Sequence, residues 1–382
     1  MQSWLDTSAS RAPGLDLMRA IAILWVMLFH MRVLHLPEVF YWPSRYGWMG
    51  VDLFFVLSGY LIGSQLMRPY LKGDSPSLTR FYLRRAFRIL PAFLAVLALY
   101  FAVPVFREAP GLSPAWQFLT FTENFRINYF TEQAFSHFWS LCVEEHFYLV
   151  LPVLVLLLMR KPRFGKALAL GLGILLFGVA IRGYIYLRLR PLGGTGEFFT
   201  RYIMDIYYPT YTRLDGLLVG VVLASIKTFR PAWWQRCMAH GHLLLLAGVA
   251  FSGASMWLFR DRFSFSGTLL GFPLLSLGLG LLVTSSLSPL SWLSRIRGFG
   301  FIATLAYSLY LIHKEIGHLD RLYFGQVMQG GGWPPLLIFL ATSFSAAALL
   351  YFAVERPFLK LRERISSRQT ESAQRAAAIA RS

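Results

Sequence analysis

Ionisable side chains within apolar segments are the residues of this sequence that could do chemistry. In the first apolar run, residues 14–30, Arg19 and His30 are separated by ten residues. On an α-helix this spacing corresponds to about 1100° of rotation, so both side chains project from nearly the same face, roughly 16 Å apart along the axis. An ionisable residue at bilayer depth is costly and usually faces a protein interior or a wet cavity. The pair therefore predicts a site with a cation near one membrane face and a titratable imidazole near the other.

Carboxylates occupy two further apolar runs. Asp52 lies near the outer end of GVDLFFVLSGYLIG, and Glu144 and Glu145 lie in HFWSLCVEEHFYLVLP. A carboxylate in an apolar run needs a partner, so Asp52 belongs either to a structural ion pair or to the site. Adjacent glutamates cannot face one direction, whereas Glu144 and Tyr148 share a helical face at i, i+4. At least one glutamate should meet a cation or hold a proton inside the bundle, the alternative being a structural ion pair with Arg213 or a histidine.

A cluster of arginines precedes the third apolar run, in RFYLRRAFRILPAF. Arg85 and Arg88 are three residues apart and therefore share one helical face. Guanidinium groups suit phosphate oxygens, so the cluster predicts a site for a cytosolic polyanion, and the 3′-phosphate and diphosphate of coenzyme A match it. The alternative is a membrane anchor whose arginines face lipid phosphates.

Three other patterns are weaker. In YTRLDGLLVG, Arg213 and Asp215 are predicted to be buried and paired with each other within the bundle. His313, in YSLYLIHKEI, lies toward the outer end of the ninth apolar run, where a single histidine is more often a packing residue than a catalyst. The small pair Ser58–Gly59 lets a helix or a ligand approach closely, and helix packing is the favoured interpretation.

The elements that position these residues are predicted to be membrane-spanning helices. Of 382 residues 56% are apolar and 15% charged, and the mean hydropathy is +0.51. A soluble chain carries about a quarter charged residues. We predict an all-α bundle of ten spans, near residues 14–34, 47–67, 88–106, 139–159, 167–187, 203–225, 241–259, 267–286, 298–317 and 334–354.

Lysine and arginine are concentrated in alternate loops, which predicts that both termini are cytoplasmic. The sequence then divides into a cytoplasmic stub (1–13), a membrane domain (14–358) and a polar cytoplasmic tail (359–382), with the first apolar run retained as a signal anchor. Basic loops of this kind account for the net charge of +18 without nucleic acid. The bundle should contact membrane lipids.

Several classes of site are not indicated. Cys142 and Cys237 are assigned to a span and a loop, so a disulfide between them is not expected. Neither has a CxxC or HxxxH neighbour, and GxGxxG, GxxxxGK[ST] and GxSxG are absent from the sequence. We expect no metal site and no tightly bound cofactor.

The chain resembles the acyltransferase 3 family of multi-pass membrane O-acyltransferases, over residues 10–358. The opening helix GLDLMRAIAILWVMLFH matches the family, including its Arg-x10-His spacing. The other family patterns follow in order: GVDLFFVLSGYLI, the Arg-x-x-Arg of Arg85 and Arg88 with Pro91, FWSLCVEEHFYLVLP, RLDGLLVG, YSLYLIH and VERP. Their ordered combination is what makes the match specific.

The resemblance implies an acyl-CoA donor, usually acetyl-CoA, that reaches the bundle from the cytosol, and an acceptor hydroxyl, often on a glycan or lipid-linked sugar. It implies functional roles for Arg19 and His30. The family's Arg-x-x-Arg carries over to Arg85 and Arg88, and its first motif glutamate to Glu144. The sequence departs from the family where His146 replaces a common Gln, and where HKEI replaces His-x-Pro-Ile and thereby introduces Glu315.

The mechanism expected is general-base catalysis. His30 takes the proton of the acceptor hydroxyl, positioned or tuned by Asp52 or Glu144, and the oxygen attacks the thioester carbonyl. Arg19 and the arginine cluster fall toward the cytoplasmic half, and His30 toward the outer half. The acyl group therefore either travels on the coenzyme A arm or is relayed by a carrier, and the sequence leaves both open.

Two other function classes stay open at the level of sequence. Buried charges in ten spans would also suit a transporter or flippase for a glycan or acyl group that forms no ester. A catalytically inactive partner in a glycan-synthesis complex is the third class, against which the presence of Arg19 and His30 argues. The expected location is the bacterial inner membrane, where separate glycan-synthesis partners could act with the protein.

Overall fold

The computed structural model describes residues 12–34, 36–160 and 164–365, and all regular structure in these ranges is helical. The longer helices, numbered in chain order, are α1 (Pro13–His30), α2 (Met49–Met67), α3 (Leu78–Ala102), α4 (Trp139–Arg160), α5 (Phe164–Leu189), α6 (Asp215–Phe229), α7 (Pro231–Ala239), α8 (Gly241–Leu258), α9 (Phe272–Leu287), α10 (Gly300–Tyr323) and α11 (Trp333–Leu350).

Short helical segments connect them. The α-helical ones are Tyr41–Arg45, Ala115–Leu119, Glu123–Arg126, Gly196–Tyr202 and Gly325–Gln329; the 3₁₀ ones are Met31–Leu34, Glu38–Phe40, Arg68–Lys72, Pro104–Phe106, Ser136–Phe138, Arg190–Leu192, Thr210–Thr212 and Trp292–Arg295; the π-helical ones are Ile203–Tyr207, Gly267–Gly271 and Tyr351–Glu355.

Within the described ranges, eight helices are long and apolar enough to cross a membrane, or nine if the bent pair α6–α7 counts as one span. The eight are Pro13–Val33, Met49–Lys72, Leu78–Ala102, Ser136–Arg160, Gly165–Leu192, Gly241–Leu258, Gly267–Leu287 and Trp333–Ile365. They coincide with all the predicted spans except residues 203–225 and 298–317. The all-helical membrane fold is thus confirmed, and the count of ten is not.

The sixth predicted span, 203–225, is wrong as a single helix. Its first half is a π-helical turn followed by a 3₁₀ turn, and α6 begins only at Asp215. Pro209 stands between the two turns, where it cannot donate a backbone hydrogen bond and restricts the residue before it. At its other end α6 meets α7 at an angle of 110°.

The ninth predicted span corresponds to α10, which is helical for 24 residues but is not among the eight apolar helices. Its second half carries Lys314, Glu315, Asp320 and Arg321, which lower its mean hydropathy. α10 packs against α1 and α11, and Glu315 and Asp320 are buried within the protein, whereas Arg321 is exposed. A polar helix at this depth is consistent with a site in the bundle interior.

The third span begins earlier than predicted. α3 starts at Leu78, where the Ser77 hydroxyl accepts the backbone N–H of Arg80, and it continues through Pro91 to Ala102. The arginine cluster is therefore part of the helix, in its first turns, and not a loop before it. Hydropathy did not predict these turns as part of the span, because the arginines lower the mean hydropathy there.

Helices α2 and α6 are in close backbone contact. A Cβ atom on Gly59 would lie 2.1 Å from the Leu217 carbonyl oxygen, and one on Gly220 would lie 2.3 Å from the Val56 carbonyl oxygen. Only glycine permits this backbone approach. Gly59 is thus a packing residue, as the favoured interpretation of the Ser58–Gly59 pair held.

Candidate active site

A cavity of about 1180 Å³ lies between α1, α2, α3, α4, α10 and the helical segment that follows α11. Six of the predicted site residues line it: Arg19, Arg85, Arg88, Glu144, Glu145 and Tyr148. Further basic side chains line it near the end of the bundle where α1 begins: Arg84, Arg356, Lys360 and Arg362. The tertiary structure therefore gathers residues from distant parts of the sequence around one strongly basic space.

The two arginines of the Arg-x-x-Arg motif are held differently. Arg88 forms an ion pair with the buried carboxylate of Glu355, whose other oxygen accepts a hydrogen bond from the Ser308 hydroxyl at 2.9 Å. Arg85 forms no ion pair among the described residues, and its guanidinium carbon lies 4.6 Å from the centre of the Tyr148 ring. Stacking occupies a face of the Arg85 guanidinium and leaves its in-plane N–H groups available to an anion.

Glu144 is fully hydrogen-bonded inside the cavity wall. Its Oε1 accepts from the Ser58 hydroxyl at 3.0 Å, and its Oε2 accepts from the Tyr148 hydroxyl at 2.6 Å. Two donors on two oxygens are the arrangement expected for an ionised carboxylate. Glu144 thereby fixes Tyr148, on which Arg85 stacks. Ser58 belongs to this network, while its neighbour Gly59 serves helix packing.

Arg19 projects into the cavity from the first turns of α1. Its Nη1 lies 3.6 Å from Oδ1 of Asp16, and 35% of its side chain is exposed. Arg19 and His30 therefore lie at opposite ends of α1, as the spacing predicts, and only Arg19 contributes to the cavity wall.

His30 pairs with His313: Nδ1 of His30 lies 3.0 Å from Nε2 of His313. Nδ1 of His313 lies 3.0 Å from the carbonyl oxygens of Leu309 and Tyr310, which only accept, so it carries the proton. Nε2 of a neutral His313 is then the acceptor, and Nδ1 of His30 is the donor. The Val26 carbonyl oxygen, 3.1 Å from that nitrogen, requires the same tautomer. Nε2 of His30 keeps a lone pair, the form a general base needs.

Tyr310 separates the cavity from this histidine pair. Tyr310 and Ser140 both line the cavity, and their hydroxyl groups are hydrogen-bonded to each other. The Tyr310 hydroxyl also lies 2.8 Å from the His137 carbonyl oxygen, to which it donates. On its other side the Tyr310 ring centre is 6.0 Å from that of His313. One side chain thus stands between the basic cavity and His313.

Asp52 and Arg213 form a buried ion pair with each other, at 2.8 Å. Asp215 pairs instead with Arg182, at 2.6 Å. The predicted pairing of Arg213 with Asp215 is therefore wrong, because Asp215 faces α5, whereas Arg213, which directly follows the 3₁₀ turn before α6, faces α2. The sequence analysis considered Asp52 as a residue that positions His30, but the side chain hydrogen-bonded to His30 is that of His313.

A second polar cluster lies behind the histidine pair. Ligand-type atoms of Glu108, His137 and Glu315 lie within 4.8 Å of one another. Oε1 of Glu108 lies 2.7 Å from the Lys314 ammonium, which supplies its positive partner. Glu315 is 0% exposed, and both its carboxylate oxygens lack a hydrogen-bond partner in the described part of the chain. His146, the other departure from the family, lies elsewhere, with Nδ1 2.7 Å from the Thr210 hydroxyl.

Glu123 is a buried acid outside the membrane spans, in the segment between α3 and α4. It is 0% exposed, and neither carboxylate oxygen has a hydrogen-bond partner within the described residues. Burial raises the pKa of Glu123 well above its usual value, the charge of Lys314 opposes this, and that of Glu132 adds to it. Burial therefore favours the protonated form of the Glu123 carboxyl group.

Several site residues were missed by sequence reasoning. Glu355 appeared only as part of the VERP pattern that closes the last span, and Tyr310 and Ser140 as unremarked members of YSLYLIH and FWSL. The available signal was that each of them lies within a family pattern. Nothing in the local sequence indicates which of them face the cavity.

Comparisons with known proteins show the family of the chain. A family profile described as an acyltransferase domain matches residues 13–354. Peptidoglycan O-acetyltransferase OatA of Listeria monocytogenes is 27% identical over 381 residues, which cover 92% of this chain and 56% of the relative. O-acetyltransferase OatA of Staphylococcus aureus is 27% identical over 384 residues, covering 91% and 57%. The chain spans a little over half the length of these curated relatives. No solved structure matches it.

Proposed function

The chain belongs to the acyltransferase 3 family of membrane O-acyltransferases, and on that premise we propose that it transfers an acyl group, most simply acetyl, from acyl-CoA to a hydroxyl of a glycan or lipid-linked saccharide. The observation that carries the proposal is an arginine-lined cavity that ends one side chain away from a hydrogen-bonded histidine pair. A polyanionic donor and a general base are the two things that acyl transfer from coenzyme A requires.

The donor enters the basic end of the cavity. Arg85, Arg88 and Arg19 bind the phosphates of coenzyme A, and the pantetheine arm follows the cavity toward Tyr310. Arg88, held by Glu355, presents a fixed guanidinium, and Arg85 is kept in place by Tyr148 and, through it, by Glu144. This basic end faces the cytosol, where acyl-CoA is made, and both termini of the described chain lie on that side.

The acceptor hydroxyl reaches His30 from the opposite side of the membrane. Nε2 of His30 accepts the hydroxyl proton while the oxygen attacks the thioester carbonyl carbon. The C–S bond breaks, and the departing coenzyme A thiolate takes up a proton, so the products are an ester and coenzyme A. His313 holds His30 in the tautomer that leaves Nε2 free. Asp52 contributes indirectly, by neutralising Arg213.

The relatives support a glycan acceptor. One of them is named for O-acetylation of peptidoglycan, a polymer assembled beyond the bacterial inner membrane. His30 lies at the end of α1 away from the basic cavity, which suits an acceptor saccharide on that side of the membrane. The protein would acylate it there, alone or together with separate glycan-synthesis proteins. The inner membrane is the location proposed for the protein.

Mass spectrometry of cell-surface glycans tests the function directly. Cells that make the protein should carry an acyl ester, seen as a gain of one acetyl mass, which cells with the His30→Ala protein lack. His242→Ala, an exposed histidine at the start of α8, is the matched control and should behave as the unchanged protein. Normal ester content with a folded, membrane-inserted His30→Ala protein would contradict the base assignment. Movement of a glycan without any ester would favour the transporter.

A further inference from the structure

A cation without a counter-ion lies beside the histidine pair. Arg262 belongs to the segment between α8 and the π-helical turn Gly267–Gly271, at the end of the bundle where α1 terminates. Its guanidinium carbon is surrounded by four aromatic rings, at 5.1 Å from the ring centre of Phe29, 5.1 Å from Trp48, 5.3 Å from Tyr207 and 5.8 Å from Phe263. We call these four rings the aromatic cage.

The charge of Arg213 is balanced within the protein, and that of Arg262 is not. The guanidinium carbon of Arg213 lies 4.5 Å from the centre of the Tyr207 ring, and Arg213 forms an ion pair with Asp52. No carboxylate lies within ion-pair distance of Arg262 in the parts of the chain that the structure describes. The adjacent carboxylate of Asp261 accepts the backbone N–H of Phe263 instead. An excess positive charge therefore remains at this end of the bundle.

The cage leaves the donors of Arg262 usable. The Arg262 guanidinium donates a hydrogen bond to the Tyr207 hydroxyl, but a guanidinium has five N–H groups in its plane, so further donors remain. In-plane donors match the oxygens of a carboxylate or phosphate, which they can bind through two parallel hydrogen bonds. Arg262 is only partly buried, so an anion can reach it. The cage also lowers the local exposure to water, which strengthens such a contact.

Arg262 is close enough to His30 to act on the same ligand. Phe29 links them: its ring centre is 5.1 Å from the Arg262 guanidinium carbon and 5.2 Å from the His30 ring centre. An anion bound at Arg262 and a hydroxyl at His30 can therefore belong to one sugar unit or to two consecutive ones.

We propose that Arg262 and the aromatic cage recognise an anionic group of the acceptor, so that the protein acylates hydroxyls on a sugar that carries a carboxylate or phosphate or is next to one that does. This inference rests on the proposed acyl transfer and adds the chemical class of the acceptor. The aromatic cage orients the anion, and the excess charge draws it to the outer mouth of the site.

The first test maps the natural product. Acyl esters that are present with the unchanged protein and absent with His30→Ala are located by tandem mass spectrometry of the glycan fragments. Esters on a unit that carries, or adjoins, a carboxylate or phosphate are the expected result. Esters confined to uncharged stretches overturn the anion site while leaving the acyl transfer intact. If no ester depends on His30, the acyl transfer itself fails, and the anion site with it.

The second test removes the anion from the acceptor and needs no variant of the protein. De-esterified glycan and acetyl-CoA are added to membranes that contain the protein. Three forms of the glycan are compared: unaltered glycan, glycan whose carboxylates have been chemically reduced to alcohols, and glycan dephosphorylated with aqueous hydrogen fluoride. One of the two treatments should reduce the rate at low acceptor concentration by at least about tenfold, the effect of losing a charged hydrogen bond. The treatment that does so identifies the anion. Equal rates with all three overturn the proposal.

Variants test the protein side. Arg262→Gln should raise the KM for the unaltered glycan about tenfold or more with a smaller change in kcat, and should respond little to removal of the anion. Arg262→Lys keeps the charge and should restore part of the preference. Arg260→Gln makes the same charge change in the same segment, where Arg260 stacks on Trp257 at 4.7 Å, and should leave the KM unchanged. A purely structural Arg262 would lower the yield of folded protein and leave the preference for anionic glycan unaltered.

Discussion

At the residue scale, the charged side chains of this bundle differ in how completely their partners are supplied by the protein. Both carboxylate oxygens of Glu144 accept hydrogen bonds, and Arg88 forms an ion pair. Arg85 instead contacts an aromatic ring and has no carboxylate partner among the described residues. Buried charges that are paired resist change, because removal of one partner strands the other. Charges without a protein partner are the ones left for a ligand. This difference gives the two arginines of one motif separate expected phenotypes.

Arg85→Gln should weaken donor binding and leave stability nearly unchanged, because no carboxylate loses its partner. Arg88→Gln should do both, lowering the free energy of unfolding by about 1 kcal/mol or more, because Glu355 remains buried with only Ser308 as a donor. Thermal unfolding in detergent and equilibrium binding of acetyl-CoA measure the two effects. The double variant Arg88→Gln/Glu355→Gln should recover stability without recovering donor affinity. Unchanged affinity in all three would make the arginines membrane anchors.

Glu123 gives a pH dependence of stability whose sign follows from its raised pKa. Because burial raises the pKa of Glu123 in the folded protein, both states are protonated below the unfolded value of about 4.3, and stability is complete there. As the pH rises above that value, Glu123 loses its proton first in the unfolded state. The free energy of unfolding therefore decreases until the pH exceeds the pKa of Glu123 in the folded protein.

Glu123→Gln should therefore unfold at a higher temperature than the unchanged protein, by a margin that widens between pH 5 and pH 8. Thermal unfolding at several pH values measures it, with Glu197→Gln, an exposed acid, as the control whose margin stays flat. A margin for Glu123→Gln that narrows with rising pH would mean that the carboxylate is ionised and paired in the folded protein.

At the element scale, function depends on how closely α2 and α6 pack. α2 supplies Ser58 to Glu144 and Asp52 to Arg213, so its position sets contacts on two sides. Its register against α6 is fixed by Gly59 and Gly220, whose missing side chains let backbone meet backbone.

Gly220→Ala should destabilise the protein by about 2 kcal/mol, because the added methyl group would lie 2.3 Å from the Val56 carbonyl oxygen and 2.5 Å from the Tyr60 nitrogen, and backbone cannot move aside cheaply. It should also lower activity by displacing Ser58 from Glu144. Gly253→Ala is the matched substitution in α8, where no atom lies within 4 Å, and should stabilise by about 0.5–1 kcal/mol. Equal unfolding temperatures for the two variants would show that the helices do not approach as described.

At the scale of the whole molecule, the bundle keeps two chemistries apart. The basic cavity opens at one end, the histidine pair and Arg262 lie toward the other, and Tyr310 stands between them. Tyr310 lines the cavity and its ring contacts His313, so a single side chain connects the basic space with the histidine pair. Under the proposed function, a coenzyme A arm in the cavity would have to pass this residue to bring its acyl group to His30.

Tyr310→Ala should join the two compartments and admit water to the thioester. Release of free thiol from acetyl-CoA without acceptor should rise several-fold, while acyl transfer falls. Tyr310→Phe keeps the ring and loses only the hydrogen bonds to Ser140 and the His137 carbonyl, so it should keep thiol release low. Thiol release is followed with a colorimetric reagent. No increase with Tyr310→Ala would place the barrier elsewhere.

The sequence alone determined the class of the molecule and most of its spans, because a continuous apolar run is a local property that hydropathy reads directly. It also singled out residues that the structure brings together, since Arg19, Arg85 and Glu144 all line the cavity. The predicted helix bounds were wrong where a local feature of the sequence opposes the apolar pattern. Pro209 broke one predicted span, and arginines hid the first turns of α3.

Partner choice was decided only by the tertiary structure. The pairs Arg213–Asp52 and His30–His313 join residues 161 and 283 positions apart, whereas the sequence favoured the neighbours Arg213 and Asp215. Which opposite charges meet depends on the rotation and depth of each helix in the bundle, which are fixed by contacts such as that of Gly59 with Leu217 and carry no local signature. The same packing put Tyr310 between the basic cavity and His313, and placed Arg262 near Phe29 and His30 without an ion-pair partner among the described residues.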